Sequence, residues 1–67
     1  MNIFVNNKKR AINENLTIRL LLEEMQLSQK SGIAVALNQK VIPRDKWNQT
    51  VLEESDNVLL IKASQGG

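Results

Sequence analysis

The chain contains neither cysteine nor histidine. This removes the thiolate nucleophile, the disulfide staple, and the commonest general base and metal ligand, so most self-contained enzyme chemistry is excluded and no metal site is expected. What remains is Gln65-Gly66-Gly67, where the sequence closes on the second glycine. Terminal glycines also occur at frayed ends, so the pair gains weight only in combination with a chain that offers no other nucleophile or base. Glycine suits an end that must be processed in another protein's active site, because without a Cβ it can enter a narrow channel and take backbone angles closed to other residues. A carboxylate resists nucleophilic attack. Transfer through Gly67 therefore needs prior activation, for which an acyl-adenylate made from ATP by a partner is the direct route. On this reading the partner catalyses, ATP is the partner's co-substrate, and the chain itself binds no cofactor.

Such an end must be mounted on a small scaffold. Sixty-seven residues allow one domain with one small core, and 42% apolar with 24% charged residues is the composition of a folded globule. Nine Lys and Arg against seven Asp and Glu leave a net charge of +2, too little to imply nucleic acid or anionic lipid as the main partner. The longest apolar run, Ile18 to Leu22, is interrupted by Arg19, and the N-terminus lacks a signal-peptide pattern. We therefore expect no membrane span and a cytoplasmic protein.

Met1 to Val5 reads as a strand entering a tight turn at Asn6-Asn7, a pair that tolerates positive φ. Lys8 to Ile12 then runs back as the second arm of a hairpin, and its run Lys8-Lys9-Arg10, a weak strand signal, suits a solvated edge strand better than a nucleic-acid patch. Thr17 is placed to cap a helix in which Ile18, Leu21, Leu22 and Met25 form one apolar stripe, and Leu16 and Leu21 are spaced for a hydrophobic staple. The helix must end at or shortly before the segment from Ser28 to Gly32. From Ile33 the period becomes two, with Ile33, Val35 and Leu37 on one face and Ala34 and Ala36 on the other, which predicts a central strand. Asn38-Gln39 turns the chain, Lys40 to Ile42 makes a short return, and Pro43 stops it. Arg44 to Gln49 reads as a loop or single turn, with Trp47 against the rim of the core. After Val51-Leu52 and a polar turn, Val58 to Ile61 is the last strand. One helix covering one face of a sheet makes an α+β layer pair. We expect Ile3, Val5, Ile33, Val35, Leu37, Val58 and Leu60 to meet the helical stripe. Residues 1–62 form the domain and 63–67 a flexible tail.

Several segments carry a resemblance over nearly the whole chain: Met1-Asn2-Ile3-Phe4-Val5-Asn6, Thr17-Ile18-Arg19-Leu20-Leu21, Val35 to Arg44 with Trp47, and Val58-Leu59-Leu60-Ile61 followed after four residues by Gly66-Gly67. With these the sequence resembles the ThiS family, the sulfur carriers of thiamin biosynthesis. Gly-Gly alone would equally suit a molybdopterin-synthase small subunit or a ubiquitin-like modifier, whereas Asn38, Pro43-Arg44 and Trp47 at these spacings resemble ThiS in particular. The resemblance implies a ubiquitin-like β-grasp fold of four to five strands on one helix, with the first and last strands parallel at the sheet centre. It further implies that a ThiF-like adenylyltransferase adenylates Gly67, that sulfur from a donor such as a cysteine desulfurase replaces AMP, and that the thiocarboxylate serves a ThiG-like thiazole synthase. Gly66 would give clearance behind Gly67. In that fold, alternation turns Leu59 and Ile61 outward beside Phe4, Ala34 and Ala36, an apolar face expected to dock partners, or else to self-associate. The sequence departs from the family at Glu54-Ser55-Asp56-Asn57, where relatives commonly carry a turn glycine. If Ser55 must hold positive φ, it does so at a cost of about 1 kcal/mol.

Overall fold

Two amide pairs shape the sheet. Asn6 and Asn7 have φ of 51° and 68°, and Asn38 and Gln39 have 50° and 72°. Successive left-handed residues are the signature of the tight hairpin turn whose twist matches that of the strands it joins. In the computed structural model, which describes residues 1–27 and 32–62, these turns join β1 (Asn2–Val5) to β2 (Lys8–Ala11) and β3 (Ile33–Leu37) to β4 (Lys40–Ile42). The last strand, β5 (Asn57–Lys62), enters between the two hairpins to give the order β2-β1-β5-β3-β4. It runs parallel to β1 and antiparallel to β3. This is the expected mixed sheet, with first and last strands adjacent at its centre and the basic β2 at an edge.

The helix α1 (Ile18–Glu24) starts where the Thr17 hydroxyl accepts the Leu20 N–H at 3.2 Å. It stops earlier than the glycine-bearing segment. Gln26 takes the left-handed conformation at φ 61°, and Leu27 N–H returns to the Leu22 carbonyl at 2.7 Å while Gln26 N–H returns to that of Glu23 at 3.0 Å. These two bonds satisfy carbonyls that the ended helix would otherwise leave unpaired.

Ile18, Leu21 and Leu22 are wholly buried against Ile3, Val5, Ile33, Val35, Val58 and Leu60. Leu37 packs on this core only in part. Leu16 and Leu21, the proposed staple, both lie in it. Periodicity gave no sign of two further members, Ile12 and Leu52. Both belong to irregular chain held by main-chain bonds: Ile12 N–H to Met1 O at 2.7 Å and Leu52 N–H to Leu16 O at 2.8 Å. Trp47 is also buried, following a 3-10 turn at Arg44–Lys46. Its indole N–H donates to the Ile42 carbonyl at 2.9 Å, and the Arg44 guanidinium lies 4.9 Å from its ring centroid. The Pro43-Arg44-Trp47 pattern thus closes one side of the core. Among the described residues, no helix is long and apolar enough to cross a membrane.

Candidate functional site

Strand β5 carries the candidate site, because the two terminal glycines follow it in sequence. Val58 and Leu60 point into the core, while Leu59 and Ile61 point away from the helix and are each 48% exposed. The register extends this outer face across the sheet. Leu59 lies opposite Ala36, Ala36 opposite Val41, and Ile61 opposite Ala34. Phe4 occupies the same face of β1, level with Asn57 and with Lys9 on β2. The result is an apolar band of Leu59, Ile61, Ala34 and Val41, bordered by Phe4.

Two of the expected face residues are less open than alternation implies. Ala36 points outward yet is buried. Its methyl group sits between the taller side chains of Leu59 and Val41 on the neighbouring strands, so it forms a floor between them. Phe4 is only partly exposed, being flanked by Lys9 and Asn57. Conversely, Val41 is the most exposed large apolar residue at 68% and was absent from the expected patch. The signal for it was available: Pro43 ends β4 after a short run, and a hairpin turn at Asn38-Gln39 sets Val41 opposite the outward Ala36.

The charge on this face is one-sided. Lys9 is the only ionic residue among the described outward strand positions, and no carboxylate interrupts the apolar band. At one end of the face, the two hairpin turns border a surface cleft of about 460 Å³, lined by Ala36, Leu59 and the amides Asn6, Asn7, Asn38, Gln39 and Asn57. Asn38 builds the wall of this end. Its Oδ1 accepts the Asn57 N–H at 2.9 Å and its Nδ2 donates to Asp56 Oδ1 at 3.0 Å, while Asp56 Oδ2 accepts the Glu53 N–H at 2.8 Å. These bonds close the turn that launches β5. Ser55, within it, has φ 69° and donates its N–H to Asn2 O at 2.7 Å. The turn therefore keeps the geometry that favours glycine although serine occupies it.

Gly66 and Gly67 lie outside the described residues, as does the whole segment 63–67. Among the described residues no cluster of His, Cys, Asp or Glu is arranged to hold a metal ion.

A single helix packed on a mixed sheet of this order, with β1 and β5 parallel at its centre, defines a ubiquitin-like β-grasp protein. The crystal structure of the thiamine biosynthesis protein ThiS from Geobacter metallireducens superposes with a TM-score of 0.85 at 29% identity, with both chains covered in full. The solution structure of a thiamine biosynthesis protein from the same organism gives 0.80, also at 29% identity, covering this chain entirely and 88% of that one. The Escherichia coli (strain K12) sulfur carrier protein ThiS is 33% identical over 67 residues, the full length of both chains. The ThiS family profile matches residues 3–67, and the chain belongs to the ThiS family.

Proposed function

We propose that the chain is a sulfur carrier of thiamin biosynthesis, with the Gly67 carboxyl group as the carrying site. The observation that supports this most is the family match running through residue 67, so that the aligned region includes Gly66-Gly67 as well as the fold. A ThiF-like adenylyltransferase activates the carboxylate: one oxygen attacks the α-phosphorus of ATP and pyrophosphate leaves. Sulfur derived from cysteine, carried as a persulfide by a donor enzyme such as a cysteine desulfurase, then attacks the acyl carbon and AMP leaves; a thiol reductant cleaves the S–S bond of the resulting acyl disulfide to release the thiocarboxylate. The thiocarboxylate delivers its sulfur to a ThiG-like thiazole synthase. Sulfur is the softer and stronger nucleophile, which is the chemical reason for the exchange.

The chain acts in this scheme as a co-substrate and not as a catalyst, in the cytoplasm, with ATP held by the activating partner. Gly66 leaves space beside the reacting carbonyl because it has no side chain. The outer sheet face of Leu59, Ile61, Ala34 and Val41, with Ala36 as its floor and Phe4 at its border, is where partners dock. Exposed contiguous apolar surface on so small a protein supports that use, and Lys9 beside Phe4 at its border can meet an acidic group of a partner.

The test is ATP–pyrophosphate exchange by a purified ThiF-like enzyme. Exchange should depend on the added chain and vanish when Gly67 is deleted. Exchange that persists without Gly67 contradicts the assignment of the carrying site. A chain activated only by molybdopterin-type partners, or found joined to lysines by isopeptide bonds, belongs to a different carrier class.

A further inference from the structure

Strand β5 is longer than the strand beside it. Main-chain pairing with β1 covers Phe4↔Asn57 and Val5↔Val58, and Asn6 N–H adds a bond to Val58 O at 2.9 Å. At that point β1 turns away, because Asn6 enters the hairpin at φ 51°. On the other side β3 accompanies β5 further, through Val35↔Leu60 and Ala34↔Ile61 to Ile33↔Lys62. The next rung on the β1 side falls at Leu60, and no main chain follows to fill it.

The side chain of Asn6 fills it. Its Oδ1 accepts the Leu60 N–H at 2.8 Å and its Nδ2 donates to the Leu60 carbonyl at 3.4 Å. An amide group offers one donor and one acceptor in the arrangement of a peptide unit, so it can serve both main-chain groups of one strand residue. Asp would lose the donor and Gly would lose both.

We propose that Asn6 is a positioning residue for the chemistry at Gly67, which rests on the carrier reading above. Its amide stands in for a missing strand rung and fixes Leu60, so that β5 is held from both sides as far as Leu60, two residues before Lys62, which β3 alone pairs at the root of the C-terminal segment. Residues 63–67 can span no more than about 18 Å when extended. A swing of β5 at Leu60 therefore shifts and loosens the root from which residues 63–67 must reach a partner's active site, and ordering that root on binding costs affinity. Without Asn6, β3 alone holds β5 from Leu60 onward.

The experiment uses the full chain with Asn6→Gly, which keeps the left-handed turn accessible, and Asn7→Gly in the same turn as control. Amide hydrogen exchange is read at Leu60 and Val58, followed by steady-state kinetics of ATP-dependent activation by a ThiF-like enzyme. Asn6→Gly should speed exchange at Leu60 on the order of ten-fold while Val58 changes little. It should raise KM for the chain about five-fold with kcat nearly constant, because disorder at the root is removed on binding. Asn7→Gly should do neither. Unchanged exchange at Leu60, or unchanged KM despite a lowered Tm, overturns the inference. If wild type is never activated, the carrier reading fails and the positioning role with it, whereas accelerated exchange at Leu60 would still establish Asn6 as the clamp on β5.

Discussion

The two faces of β5 are built from the same residue types and do opposite things. Val58 and Leu60 are buried beneath the helix, and Leu59 and Ile61, one residue away on either side, stand half exposed. All four are branched aliphatics suited to a strand. Neighbouring elements separate their roles: a helix exists to cover one face, and the described residues supply none for the other. Apolar character therefore stabilises the fold on one side only. On the other it stays half exposed, the surface we propose for a partner, next to the strand end from which residues 63–67 continue.

The sharpest way to break this comparison is to place one charge on each face. Leu60→Asp should unfold the chain, since an unpaired carboxylate in the core costs about 4 kcal/mol or more, a large share of the stability of a small domain; loss of cooperative thermal unfolding by circular dichroism checks it. Ile61→Asp should cost less than about 1 kcal/mol in folding, yet weaken binding to a ThiF-like partner by at least about ten-fold in calorimetry. Equal destabilisation by the two would mean that the outer face is not a free surface. Val41→Asp extends the test to the edge of the band, where a smaller loss of affinity, about three-fold, is expected because edge contacts stay wetter than central ones. An effect of opposite sign, confined to folding, concerns the turn that launches β5. Ser55→Gly should stabilise by about 1 kcal/mol, raising Tm by several degrees, without changing partner affinity.

Much of this arrangement is legible in the residues. Asn6-Asn7 and Asn38-Gln39 announce turns because amide side chains tolerate positive φ, and Thr17 announces a helix start because a hydroxyl can take a free N–H. Alternation in Ile33 to Leu37 assigns each residue to a face. It does not say how tall the neighbours are, and so Ala36 was expected in the open but lies buried between Leu59 and Val41. Periodicity is equally silent about Ile12 and Leu52, which reach the core from irregular chain. The polar segment from Ser28 bounds the end of the helix, but which residue turns the chain is not legible: Gln26 accepts the left-handed geometry because returning N–H bonds hold it there. Asn6 shows the same limit from the functional side. Its type predicts the turn, but its hydrogen bonds to Leu60, 54 positions away, follow only from the parallel placement of β1 and β5.

The central claim is that Gly67 carries sulfur. Its most direct test is the intact mass of the chain after incubation with ATP, a ThiF-like enzyme and a cysteine-derived sulfur source. The account predicts a gain equal to the mass of one sulfur atom less one oxygen, localised to the terminal peptide and absent when Gly67 is deleted. A mass that does not change with this complete set of partners, or a gain that survives loss of Gly67, would contradict it.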